Sequence, residues 1–202
     1  MKFNIKRSFK NYLSKRKWYS VLSDVIFIAL VILLLIPSTR TQVTSIFIKL
    51  TSFSPSELDK EDQFVISEQA RTWTIENING EPFLFGQLNK NKPVFINFWA
   101  TWCPPCIAEM PGILKLYEDY GDKVNFVIVS NESRAKVRAF AKDKGYEELP
   151  FYKNSNVPYD FYSTSIPTTY IIDKKGRVII NEKGIADWNS GKIRKLMDEI
   201  TR

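Results

Sequence analysis

Cys103 and Cys106 are the only thiols in the 202 residues. They sit in the run Phe98-Trp99-Ala100-Thr101-Trp102-Cys103-Pro104-Pro105-Cys106, which follows an apolar, strand-like stretch at 94–99 and leads into a helical pattern. A Cys-x-x-Cys pair at a strand-to-helix junction has the spacing of a thiol–disulfide redox site. Proline at the first helical positions suits this, because its missing N–H would lack a partner there and its φ is preset. Cys103 then stands where helix amides and the macrodipole favour a negative charge, which lowers a thiol pKa. Glu109 follows Cys106 by three residues and so shares its helix face. A carboxyl near a buried thiol can hold the proton that the thiol gives up, as general acid or base.

The chain contains no histidine, which removes Cys–His dyads, imidazole ligands and histidine bases in one step. A closed zinc site would then need several carboxylates beside the two thiols. No cofactor or metal site is expected; the redox-active element is the Cys103–Cys106 pair itself.

Two further runs accompany the cysteines: Glu109-Met110-Pro111, and Ile166-Pro167-Thr168-Thr169-Tyr170-Ile171-Ile172-Asp173. Jointly they resemble the thioredoxin superfamily, and more narrowly its TlpA/ResA-like branch of membrane-anchored thiol–disulfide oxidoreductases, over residues 73–202. The resemblance implies a thioredoxin-like α/β fold, a central mixed β-sheet flanked by helices, with an added N-terminal β-hairpin. It implies an exposed Cys103 that attacks a substrate disulfide and a Cys106 that resolves the mixed disulfide. Glu109 takes the acid–base role, and Pro167 matches the cis-proline that faces the thiols. Ile166 would offer its backbone to an extended substrate by strand addition. Trp102 would cover the cysteines and, with Pro104 and Pro105, meet the partner; Trp99 reads equally well as plain core.

The pattern departs from thioredoxins proper at two points. Asn97 stands where they usually carry a buried aspartate, and Pro104-Pro105 replaces Gly-Pro. The intervening dipeptide tunes redox poise, but its sign does not follow from residue types. The implied substrates are proteins bearing disulfides or thiols, with apocytochrome c a candidate and reduction the expected direction. An integral membrane thiol donor would re-reduce the pair. Within enzymes a thiol peroxidase competes, although that chemistry wants a single peroxidatic cysteine in a threonine-containing loop. A Cu(I) chaperone could use both thiolates, but relatives of that kind add a histidine. A non-catalytic scaffold would not need the motif.

The charge has a location. The chain carries 29 basic and 22 acidic residues, net +7, and the first 20 residues hold seven basic and no acidic side chains. The remainder is balanced, so a nucleic-acid partner is not expected. Residues 18–37 form an apolar stretch of membrane-spanning length, about 20 residues per crossing, with Trp18 and Tyr19 at the interface and Pro37 as a stop. Asp24 lies within a turn of that interface and can reach headgroups or water. Basic residues ahead of the span place 1–17 in the cytoplasm and the rest outside. A cleaved signal peptide is the alternative, but Pro37-Ser38-Thr39-Arg40 lacks a small-residue cleavage site. The expected location is thus a bacterial inner membrane, crossed once, with the catalytic domain periplasmic or otherwise extracytoplasmic. Disulfides persist there, and two thiols without any further cystine point to a reactive pair.

The expected organisation is a basic tail at 1–17, an anchor at 18–37, a juxtamembrane segment and linker at 38–69, and the domain at 70–202. Asn79-Gly80 between 71–78 and 82–85 signals a tight primed hairpin turn. Strands are expected at 94–99, 124–129, 149–152, 168–172 and 177–180, the third peripheral. Helices are expected from Cys106, with Ile107, Met110, Leu114 and Tyr117 inward and a kink at Pro111. Two more are expected at 133–144, ended by Gly145, and after a cap at Asn189 or Ser190.

Overall fold

The computed structural model describes residues 18–35, 53–154 and 156–202. The chain divides into two compact units, Met1–Thr44 and Ser45–Arg202. In the first, helix α1 (Trp18–Leu35) occupies most of the expected anchor; the basic tail, Pro37 and residues 38–52 lie outside the described residues. Among the described residues no helix is long and apolar enough to cross a membrane. The 18 residues of α1 rise only ~27 Å against a hydrocarbon core of ~30 Å.

In the second unit the elements follow as β1 (Phe64–Val65), α2 (Glu68–Arg71), β2 (Thr74–Asn77), β3 (Pro82–Leu84) and α3 (Phe85–Leu88). Then come β4 (Val94–Phe98), α4 (Pro104–Tyr120), β5 (Asn125–Ser130), α5 (Arg134–Lys144) and β6 (Phe151–Asn154). A 3-10 turn (Tyr159–Phe161), β7 (Thr168–Ile172), β8 (Arg177–Lys183) and α6 (Gly191–Thr201) complete it. One mixed sheet runs in the order β1-β8-β7-β4-β5-β6-β2-β3. Strand β4 is parallel to β5 and antiparallel to β7. All five of its residues are buried, which is why its sequence shows no polar alternation.

Because side chains alternate across a strand, β4 divides the core. Phe95 joins Met110, Ile113, Leu116, Ile193 and Trp188 on one face of the sheet. Val94, Ile96 and Phe98 join Trp73, Phe85, Phe161 and Tyr170 on the other. The same period puts Asn97 on the Phe95 face, under α4. Helix α4 runs unbroken through Pro111. Its buried face is Cys106, Glu109, Met110, Ile113, Leu116 and Tyr120, one position off the expected stripe. Ile107, Leu114 and Tyr117 are only partly covered.

Three expectations are corrected. The described part of the supposed linker is tied to the domain: Phe53 bridges Ala186, Leu58 N–H donates to the Ile179 carbonyl at 2.9 Å, and β1 pairs with β8. Strand β6 is not peripheral, because β2 pairs along it and β3 along β2. The 77–81 turn is not a primed two-residue turn, since Gly80 alone takes positive φ, +93°. Asn77 Oδ1 instead accepts from the N–H groups of Asn79 and Glu81. The result is a three-residue loop closed by a left-handed glycine. Asp173 and Gly176 repeat the device at the β7–β8 turn, where Asp173 Oδ1 accepts from Lys175 and Arg177.

Candidate active site

Cys103 is the N-cap of α4, with Pro104 and Pro105 at the first helical positions. The two cysteines are joined as a disulfide. The Cys106 N–H points at Cys103 Sγ from 3.3 Å, the placement that favours a thiolate at a helix start. The expected exposure of Cys103 is not found. It is 3 % exposed and Cys106 is fully buried, because Cys103 Sγ is tucked 3.8 Å from the Ile166 carbonyl oxygen. The Ile166–Pro167 peptide is cis, and Pro167 is buried. The sequence-predicted residues are therefore brought together: Pro104 exposed and Pro105 half-buried at the helix start, Ile166 and Pro167 across from Cys103.

Trp102 stands 67 % exposed. It and Ile166 form part of a cleft of ~330 Å³ floored by Phe98, Trp99, Phe161 and Tyr162. Trp99 is core as well as cleft wall, packed against Phe140 and Phe151 at ring distances of 5.0 and 5.2 Å.

Glu109 is buried, one turn beyond Cys106. Oε1 accepts from Asn97 Nδ2 at 2.7 Å. Oε2 accepts from Trp188 Nε1 at 3.1 Å and from the Ala186 N–H at 3.4 Å. Burial pushes its pKa up to about 8, the donated hydrogen bonds pull it back in part, and the nearby Glu182 carboxylate adds to the rise. At neutral pH the group is mostly protonated, yet its surroundings also accommodate the carboxylate. That is the condition for shuttling a proton near pH 7.

The loop before Cys103 is fixed from the other side. Glu132, after β5, accepts from the Thr101 N–H at 2.6 Å and from Thr101 Oγ1 at 2.9 Å, and pairs with Lys136 at 2.5 Å. Although partial burial works against it, the lysine and Thr101 hold the Glu132 carboxyl below its ordinary value.

Sequence reasoning missed Trp188, Thr169 and Glu132. Nothing in the run Asp187-Trp188-Asn189-Ser190 ties it to Glu109 except a tryptophan in an otherwise polar turn. Thr169 was visible only as part of the Pro167 run.

The matches to known proteins agree with this geometry. The model of the AhpC/TSA family matches residues 66–180. The chain is 38 % identical over 113 residues to the thioredoxin-like protein YneN of Bacillus subtilis (strain 168), covering 54 % of this chain and 66 % of YneN, just under two thirds of its length. It is 31 % identical over 128 residues to the thiol-disulfide oxidoreductase ResA of Bacillus thuringiensis subsp. konkukian (strain 97-27), covering 62 % of this chain and 73 % of ResA. Among solved structures, the exposed lipoprotein thioredoxin Etrx1 of Streptococcus pneumoniae strain TIGR4 shares the fold. The TM-score is 0.51 at 24 % identity, over 63 % of this chain and 98 % of that one. A Cys103–Cys106 disulfide at the start of α4, a cis Ile166–Pro167 peptide beside it and these relatives lead to one assignment: the chain belongs to the AhpC/TSA family and, within the thioredoxin superfamily, to the TlpA/ResA-like thiol–disulfide oxidoreductases.

Proposed function

We propose that the chain is a membrane-tethered, extracytoplasmic reductant of protein disulfides, with the haem-binding cysteines of apocytochrome c as one candidate substrate. The observation that carries the reading is the protonatable Glu109 one turn beyond Cys106, behind a disulfide whose Cys103 Sγ lies 3.8 Å from the carbonyl oxygen of the cleft residue Ile166.

The cycle balances with these groups alone. A donor thiolate attacks Cys103 Sγ and expels Cys106 as a thiolate, which takes the proton of Glu109. A second donor thiolate attacks the donor sulfur and releases Cys103 as a thiolate, so two electrons have entered and one proton has moved from Glu109 to Cys106. Cys103 thiolate then attacks a substrate disulfide, and the leaving substrate sulfur takes a proton from water. Cys106 gives its proton back to Glu109 and attacks Cys103 Sγ, which restores the disulfide and releases the second substrate sulfur as a thiolate that takes a proton from water. No soluble thiol pool is assured outside the cytoplasm, so the donor is taken to be an integral membrane thiol protein.

The tether rests on the seven basic residues ahead of α1 and on the apolar run through residue 36. The charge asymmetry orients the span with the tail inside.

The test is trapping in cells. Cys106→Ala leaves Cys103 unable to be resolved, so substrate proteins accumulate as mixed disulfides that a reducing agent releases. Absence of any such adduct, or the same adducts with Cys103→Ala/Cys106→Ala, would overturn the reading. Peroxide consumption by a Cys106→Ala chain at wild-type rates would favour the peroxidase instead.

A further inference from the structure

Asn97 holds two groups at once. Its Nδ2 donates to Glu109 Oε1 at 2.7 Å and to Thr169 Oγ1 at 2.8 Å, and all three residues are buried. Its Oδ1, equally buried, has no partner among the described residues. A stranded amide oxygen in a core is costly, and this one lies beside a titrating carboxyl.

A use for that oxygen follows from the other contacts of Glu109. Each hydrogen bond it makes is one it accepts, from Asn97, Ala186 and Trp188. That set suits a carboxylate, and none of it can receive the O–H that appears on protonation. The indole and the backbone amide are donors only. The side-chain amide alone carries both an acceptor and a donor, and a half-turn about its last torsion exchanges them. Thr169 follows without moving, because a hydroxyl that accepts in one arrangement donates in the other. Either arrangement leaves one end of the amide unpartnered, so neither is locked.

We propose that Asn97 is the positioning residue of the proton transfer, donating to Glu109 as a carboxylate and turning its oxygen toward Glu109 once that carboxyl is protonated. This rests on the acid–base reading of Glu109 given above. It also gives a reason for an amide at this position. An aspartate would set a second carboxylate at hydrogen-bonding distance, and two such groups titrate as a pair with one proton held far more tightly. The charged groups facing Glu109 are few: Glu182 from β8 acts on it, and Asn97 from β4, Ala186 and Trp188 before α6, and Cys106 on its own helix are neutral in the disulfide form.

The experiment is carbon-13 NMR of the full oxidised chain in detergent micelles, labelled at glutamate side-chain carboxyls, with Glu109 identified by its loss in Glu109→Gln. No substrate or donor is needed, so failure here is separable from failure of the trapping experiment. In Asn97→Asp the Glu109 midpoint should rise at least tenfold in proton affinity. In Asn97→Leu, which removes donor and acceptor together, it should move less than threefold. A rise of less than tenfold in Asn97→Asp, or of threefold or more in Asn97→Leu as expected of a fixed donor, would overturn the proposal. Should either variant fail to fold, the wild type decides: the Asn97 side-chain amide resonances should pass between two environments through the Glu109 midpoint. One environment across the titration would overturn it.

Discussion

Trp188 Nε1 lies 3.1 Å from Glu109 Oε2 although 79 residues separate them. The acidity of the group beneath the cysteines is therefore set jointly by helix α4 and by the segment leading into α6. Several measurable consequences follow from that contact and its neighbours.

Glu109 gives the fold a pH dependence of known sign. Its folded pKa of about 8 exceeds the ordinary 4.5. The stability held in its proton is full below pH 4.5 and is lost as the pH rises to about 8. The full span corresponds to roughly 5 kcal/mol at most. Between about pH 5 and pH 9, oxidised wild-type chain should lose several kcal/mol relative to Glu109→Gln. Guanidinium unfolding of both chains at the two pH values checks this.

The same substitution should slow closure of the mixed disulfide by ~100-fold near neutrality and flatten its pH dependence. Stopped-flow reaction of the reduced chain with a small disulfide reads both. Equal rates for variant and wild type from about pH 6 to 9 would take Glu109 out of the mechanism.

Trp188→Phe removes one donor from the carboxylate while keeping an aromatic against Phe95, whose ring centroid is 5.1 Å away. The Glu109 titration should move upward, and stability at alkaline pH should fall by ~1–3 kcal/mol. The carboxyl resonance and the melting temperature at high pH report the two effects.

Trp102→Ala should leave stability within ~0.5 kcal/mol, as for other exposed side chains. Its effect should fall on partners. Exchange with a protein disulfide should weaken several-fold while exchange with a small aromatic disulfide is unchanged. Parallel kinetics with the two oxidants separate these outcomes.

Glu132→Ala strips Thr101 of both its bonds to the 130–133 loop. Hydrogen bonds to a charged acceptor are worth ~1.5–3 kcal/mol each before compensation. A loss of roughly 2–4 kcal/mol in unfolding free energy is expected, together with faster amide exchange at Thr101, Trp102 and Cys103.

Much of this architecture is written locally. The apolar block at 94–98 has no polar alternation because both faces of β4 are covered. Ser133 and Gly145 mark α5 through a side-chain cap and a left-handed glycine, and Ser190 caps α6 in the same way. The cysteines and the placement of Glu109 on the Cys106 side of the helix could be read from spacing, whereas Pro167 was reached only through the resemblance of the 166–173 run. What escaped was set by tertiary packing. Whether Cys103 is open or closed depends on the Ile166 carbonyl, 63 residues away. The face α4 buries is fixed by Glu109 meeting Asn97 and Trp188, which an apolar stripe cannot reveal. The segment 53–65 looked like a linker because its contacts with β8 and Ala186 are mostly through backbone, which any composition can make.

The hairpin laid beyond β6 decides what the sheet presents at one of its margins. It leaves the sheet bordered by β1, two residues long, and β3, three residues long and beginning at Pro82. Short margins of this kind give a stray polypeptide almost nothing to zipper onto. A domain of a family that exchanges disulfides with other proteins is thereby poorly suited to seed sheet-to-sheet aggregation through its margins.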